Sequence, residues 1–247
     1  MCSFIWFTYI IFHYGGLMQD NTKRGERALF WLKAIFIIFI LYFFWSLPIN
    51  AILSGASDGT LTASLLIRFV LGGLFSLGML FALFAFLVCF ISWLHRAIAN
   101  LRVISVTDFS PMGAVLLTCI PFVGFILHFW IFNDMVERQE DCMQERGLLK
   151  KKFPKKFLIG WFLASVGCSI MMFWGFGNSI ESSVHDLLEN ILTVVCIGFY
   201  IQCFTFYIAQ ERELFNVHTE TLFRKRVDEI IREREIERAA DQLRDKQ

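Results

Sequence analysis

The stretch whose reading decides the fold runs from Trp93 to Glu140, WLHRAIANLRVISVTDFSPMGAVLLTCIPFVGFILHFWIFNDMVERQE. It separates two pairs of long apolar runs, so the topology depends on whether it crosses a membrane or turns back inside one. Ser110-Pro111 reads as a helix start, with Ser as N-cap and Pro at the first helical position. Pro121 and Gly124 fall near the middle of the apolar part, where helical hydrogen bonding must break. Asn133 and Asp134 bring the chain back to polar surroundings. Each half of residues 111–134 is about 10 residues, or about 15 Å of helix, which reaches mid-bilayer without crossing it.

Outward from this centre the chain is apolar. Of its 247 residues 56% are hydrophobic and only 18% charged, and the mean hydropathy is +0.57. Soluble chains carry about 25% charge, so a membrane class is expected. The expected long spans are 28–53, 65–93, 157–177 and 187–209. Residues 1–27 form an N-terminal segment; 1–17 reads as an over-extended start or an interfacial piece, too short to span. Residues 210–247 read as a charged, solvated helical tail whose apolar positions are too sparse for a sustained coiled coil. Gly78, Ala82 and Ala85, and again Gly160, Ala164 and Gly167, form small-residue stripes suited to close helix packing. Seven cysteines show no metal-ligand spacing; Cys89, Cys119, Cys168, Cys196 and Cys203 lie inside apolar runs and read as core filler.

Charge sets the orientation. Lys and Arg near span ends mark the cytoplasmic side. Lys23, Arg24 and Arg27 lead the first span, Arg96 and Arg102 follow the second, and Lys150, Lys151, Lys152, Lys155 and Lys156 precede the third. The loops SGASDGTLTAS and GNSIESSVHD contain neither residue type. A crossing at 111–134 would strand the most basic loop outside. A re-entrant hairpin puts every basic loop and the tail in the cytoplasm, and is preferred to a plain fifth span. The fold class is therefore all-α: four long transmembrane helices, a central re-entrant segment and a cytoplasmic C-terminal helix, with a rough pseudo-symmetry between the two span pairs.

Trp93, Arg96, Ala97, Asn100 and Leu101, then Ser110-Pro111 and Ile120-Pro121, resemble the bacterial multi-pass membrane proteins grouped as domain of unknown function 4328. Members often carry a further proline beyond the Ile-Pro pair, where this chain has His128 nearby. The resemblance implies a bacterial inner-membrane location and no assigned reaction. Trp93, Arg96 and Asn100 share one helix face and are expected to cap backbone freed by the break; the sharper reading has Arg96 binding a lipid phosphate or anionic solute.

For function, a membrane interaction or scaffold protein, or a lipid-associated one, is expected. Its partners are the bilayer, anionic headgroups at Lys150–Lys156, and a cytoplasmic protein at the tail. The alternative is a small-solute or ion transporter using the broken segment, though few polar residues (His128, Asn190, Gln202) lie in the spans. Motifs for hydrolases, phosphate loops or zinc peptidases are missing, so neither an enzyme nor a cofactor is expected. The mixed-sign tail argues against nucleic acid.

Overall fold

The computed structural model describes residues 18–53, 61–105, 107–120, 124–149, 151–175 and 182–244. Pro121, Lys150 and the segment 1–17 lie outside these. Apolar runs with few breakers fold as long helices. In chain order they are α1 Thr22–Leu53, α2 Leu61–Ile104, α3 Pro111–Thr118, α4 Gly124–Glu145, α5 Lys155–Gly175 and α6 Ser182–Arg244. All secondary structure among the described residues is helical.

Two helix pairs form the frame: α1 lies along α2 and α5 along α6, and the pairs meet where α1 touches α6. The short α3 packs on α2, and α4 fits among α2, α5 and α6. Three helical stretches among the described residues are long and apolar enough to cross a membrane: Thr22–Phe44, Val70–Ile104 and Leu187–Ile236. The span expected at 157–177 falls on α5. On α2, Leu74, Leu77, Leu80, Phe81 and Phe84 all face outward, as do Ile37 and Leu41 on α1 and Leu163 and Ile170 on α5. A soluble monomer does not display so much contiguous apolar surface. These helices are compatible with an integral membrane protein.

The two small-residue stripes behave differently. A Cβ on Gly160 would come within 2.8 Å of the Phe199 ring, and one on Gly167 within 2.8 Å of Leu192 Cδ2, so α5 and α6 approach closely along that stripe. On α2, Ala82 is buried, but a Cβ on Gly78 would meet nothing within 4 Å.

α3 and the first part of α4 lie against each other as the two arms of a hairpin. Ser110 Oγ accepts from Gly113 N at 3.0 Å with Pro111 at the first turn, which starts α3. The start of α4 lies so close to the end of α3 that a Cβ on Gly124 would lie 2.6 Å from the Thr118 carbonyl oxygen. Gly124 N donates to Ile120 O at 2.7 Å between the two arms. The open ends of the hairpin meet as well: Arg138 Nη2 lies 3.5 Å from Asp108 Oδ2, and Cys142 packs beside Ile104.

The core sits at the end of the bundle where this hairpin opens. Trp93, Phe132, Phe204 and Tyr207 are almost completely buried there, with Leu94, Ile98, Ile131 and Leu158. Trp93 packs edge-on against Phe204, ring centroids 4.4 Å apart, and against Tyr207 at 5.5 Å. Edge-to-face aromatic pairs add to simple area burial.

The tail is no separate element. α6 continues across residues 209 and 210 without a break, for 63 residues. Leu214 and Glu211 are buried in the bundle, and only beyond Thr219 is every described residue exposed. The boundary expected from the composition change at 209/210 thus falls inside the packed part of the helix, because Gln210, Glu211 and Leu214 face neighbouring elements.

Candidate functional site

The candidate site is a polar junction where the segment before α1, the end of α2 and the middle of α6 meet. Trp93 and Asn100 both face the extended segment at residues 18–21. Asn100 clasps it at two points: its Nδ2 donates to Gln19 O at 2.8 Å, and its Oδ1 accepts from Gln19 N at 3.0 Å. Asn21, two residues on, is buried and donates through Nδ2 to Trp93 O at 3.1 Å and to Glu211 Oε1 at 3.0 Å. Trp93 completes the group, its indole Nε1 donating to Glu211 Oε2 at 3.1 Å.

Glu211 is thereby a buried carboxyl group (6% exposed) whose two oxygens are both met by neutral N–H donors. Burying such a group is costly unless its hydrogen bonds are made, and here two other chain segments supply them, one through Asn21 and one through Trp93.

Local sequence explains the placement of Asn21. Asp20 Oδ1 accepts from Thr22 N at 2.9 Å, and Asn21 O accepts from Arg24 N and Gly25 N, which fixes the start of α1. The Thr22 N–H holds the Asp20 carboxyl below its usual range. Gly25 then lets α1 lie tight against its neighbours: a Cβ there would come within 2.9 Å of Ile208 Cγ1 and 3.1 Å of Trp93 Cδ1. Outside the junction, Arg212 pairs with Glu26. Met18, at the start of the described chain, is buried with Cys142, Met143 and Leu214.

The residues singled out in the sequence divide accordingly. Trp93 and Asn100 belong to the junction. Asn100 spends its amide on Gln19 instead of on the broken segment, because the 18–21 segment lies against that face of α2. Arg96, between them, is half-buried. Ser110, Pro111 and Gly124 build the hairpin away from the junction; Pro121 is not among the described residues. Of the lysines, Lys155 pairs with Glu137 at 2.9 Å, Lys151 lies over the Phe206 ring at 5.8 Å and Lys156 over Phe157 at 5.4 Å. Lys152 is exposed.

The basic loop is sewn down by backbone contacts. Phe153 N donates to Glu140, and Lys151 O accepts from Gln210 Nε2 at 3.3 Å.

Sequence reasoning missed Asn21 and Glu211, which lie in polar stretches flanking apolar runs. It also missed Tyr200, whose hydroxyl pairs with His128 Nε2 at 2.9 Å inside a box completed by Phe90, Phe132 and Trp161. Among the described residues, no group of three or more His, Cys, Asp or Glu could hold a metal ion.

The family model for domain of unknown function 4328 matches residues 60–204. The chain belongs to this family. Trp93, Arg96, Asn100 and the hairpin fall inside the match, whereas Asn21 and Glu211, the partners that complete the junction, fall outside it. No curated protein and no solved structure matches the chain.

Proposed function

We propose that this protein is an integral membrane scaffold, associated with anionic lipid and presenting its C-terminal helix to a cytoplasmic protein. The observation that carries the reading is the continuity of α6. One helix is anchored in the core by Phe204, Tyr207, Glu211 and Leu214, then runs on with every described side chain beyond Thr219 exposed. Motion or binding at the far part is mechanically joined to the junction. Phe223, Val227, Ile230 and Ile231 recur at i, i+4, i+7 and i+8 on the exposed part. That spacing places them on one face, the pattern by which a helix enters an apolar groove.

In this reading the protein lies in a bacterial inner membrane with four spans, α1, α2, α5 and the apolar part of α6. The α3–α4 hairpin is re-entrant, and the basic loop and tail are cytoplasmic. The Asp108–Arg138 pair supports the hairpin's entry and exit on one face. Packing of the 151–153 loop against α6 near the junction supports one common level for the basic segments. The basic loop then faces anionic headgroups through Lys152 and its neighbours. The transport alternative has less support, since His128 is enclosed by aromatic rings.

The test is site-specific photo-cross-linking in intact cells, with a photoreactive phenylalanine analogue at Phe223, Ile231 or Lys225 of the full chain. Protein adducts at the first two positions that weaken strongly at Lys225, on the opposite face, support the reading. Equal adduct yields at all three, or lipid adducts alone, would refute it.

A further inference from the structure

We infer that Arg96 and Arg24 together bind a phosphate group, supplied by a lipid headgroup or by a soluble phosphate ester. The inference goes beyond the scaffold reading and rests on a different corner of the molecule.

The junction brings the chain at Arg24 beside the part of α2 that carries Arg96. Arg96 lies one turn after Trp93 and one turn before Asn100, and both of those residues hold the segment leading into α1. Asn21 is tied to the Trp93 carbonyl oxygen, and Gly25 sits against the Trp93 ring. Arg24, next to Gly25, is thereby held beside the Trp93–Asn100 part of α2. Its charge acts on both Arg96 and His95, and that of Arg96 acts on His95. Three basic side chains thus crowd one corner, and Arg96 and His95 are half-buried there.

The acids of this corner are already engaged. Glu26 holds Arg212, Asp20 accepts from the Thr22 N–H, and Glu211 faces Trp93 and Asn21. Among the described residues neither Arg24 nor Arg96 enters an ion pair. Arg96 is half-buried and Arg24 exposed, and an anion between two like charges relieves their repulsion, most of all on the less solvated side. Of the common anions phosphate fits best, because a guanidinium presents parallel N–H donors matched to two phosphate oxygens. Lys23 and Arg27 near Arg24 in the chain, and Arg102 beyond Arg96, are exposed and add positive potential that would draw such an anion in.

The experiment uses the full chain in detergent micelles, with thermal unfolding followed against added phosphatidylglycerol, phosphatidylcholine or inorganic phosphate at matched ionic strength. Arg96→Gln and Arg24→Gln are compared with wild type and with the loop variant Lys152→Gln/Lys156→Gln. The expected result is stabilisation by phosphatidylglycerol, inorganic phosphate or both. Apparent affinity falls about tenfold or more in either arginine variant and stays near wild type in the loop variant.

A response to phosphatidylglycerol alone assigns a lipid headgroup, and a response to inorganic phosphate as well assigns a soluble phosphate group. Equal responses in wild type and both arginine variants, or no response to either anion, would overturn the site. If Arg96→Gln does not fold, Arg96→Lys and Arg24→Gln decide the matter, since lysine keeps the charge but loses the fork. Tail cross-linking at Phe223 is read in the same variants, so the scaffold reading and the phosphate site fail separately.

Discussion

Trp93 and Glu211, 118 residues apart in the chain, are joined by a buried hydrogen bond of 3.1 Å from indole N–H to carboxyl oxygen. Glu211→Ala removes the acceptor of both this bond and that from Asn21, leaving two buried donors unmet at about 1–3 kcal/mol each. Glu211→Gln keeps one acceptor oxygen and is expected to cost less. Trp93→Phe loses the donor and the larger ring from a tightly filled core. A double-mutant cycle between Trp93→Phe and Glu211→Gln, read by thermal unfolding in detergent, should show clear coupling. Simple additivity would mean that the bond contributes little.

Three glycines should rank by what a methyl group would strike. At Gly124 it meets the Thr118 carbonyl oxygen at 2.6 Å, which is backbone and cannot turn aside. At Gly25 it meets the ends of Ile208 and Trp93 at 2.9 to 3.1 Å, and Ile208 can shift. At Gly78 it meets nothing within 4 Å. Alanine is therefore expected to be most damaging at 124, intermediate at 25 and near neutral at 78, with overpacking costing about 1–3 kcal/mol where it occurs. Unfolding temperatures of the three variants check the order.

The helices and the hairpin could be read from local signals, because Ser110-Pro111, Gly124 and the long apolar runs act on their own neighbourhoods. The junction could not. Asn21 and Glu211 look solvated when read with the polar residues around them, and only the crossing of α1, α2 and α6 buries them. Trp93 and Asn100 stood out as a same-face pair, yet spacing along one helix does not say which distant segment that face meets. The tail shows a related effect: charge density rises at Gln210, but burial on α6 persists to Leu214.

Cys142 looks like a natural topology probe for the basic side of the hairpin, but it is buried beside Met18 and Leu214. Burial also pushes its thiol above the usual range, lowering the reactive thiolate. An impermeant thiol reagent should leave Cys142 unlabelled on intact and on permeabilised cells alike. Gln144, two residues on, is exposed. In a chain with Cys2→Ser, Gln144→Cys is expected to label only after permeabilisation. Labelling on intact cells would make residues 111–134 a true crossing and remove the re-entrant arrangement.

The Lys155–Glu137 pair makes a pH-dependent tie between α5 and α4. The hydrogen bond from Lys155 holds the Glu137 carboxyl below its ordinary value of 4.5, and the same bond raises Lys155 above 10.5. The lowered acid contributes stability above its unfolded value and loses it as pH falls through the folded one. The raised base contributes below its unfolded value and loses it as pH rises through the folded one. The tie is thus complete at neutral pH and released at either extreme. Both side chains are about half exposed, so the tie is worth about 0–1 kcal/mol. Lys155→Gln should leave global unfolding nearly unchanged at neutral pH while hastening amide hydrogen exchange at 151–157. Acid should hasten that exchange in wild type, after correction for intrinsic rates, more than in the variant; an identical acid response in both would show that the pair does not hold the loop.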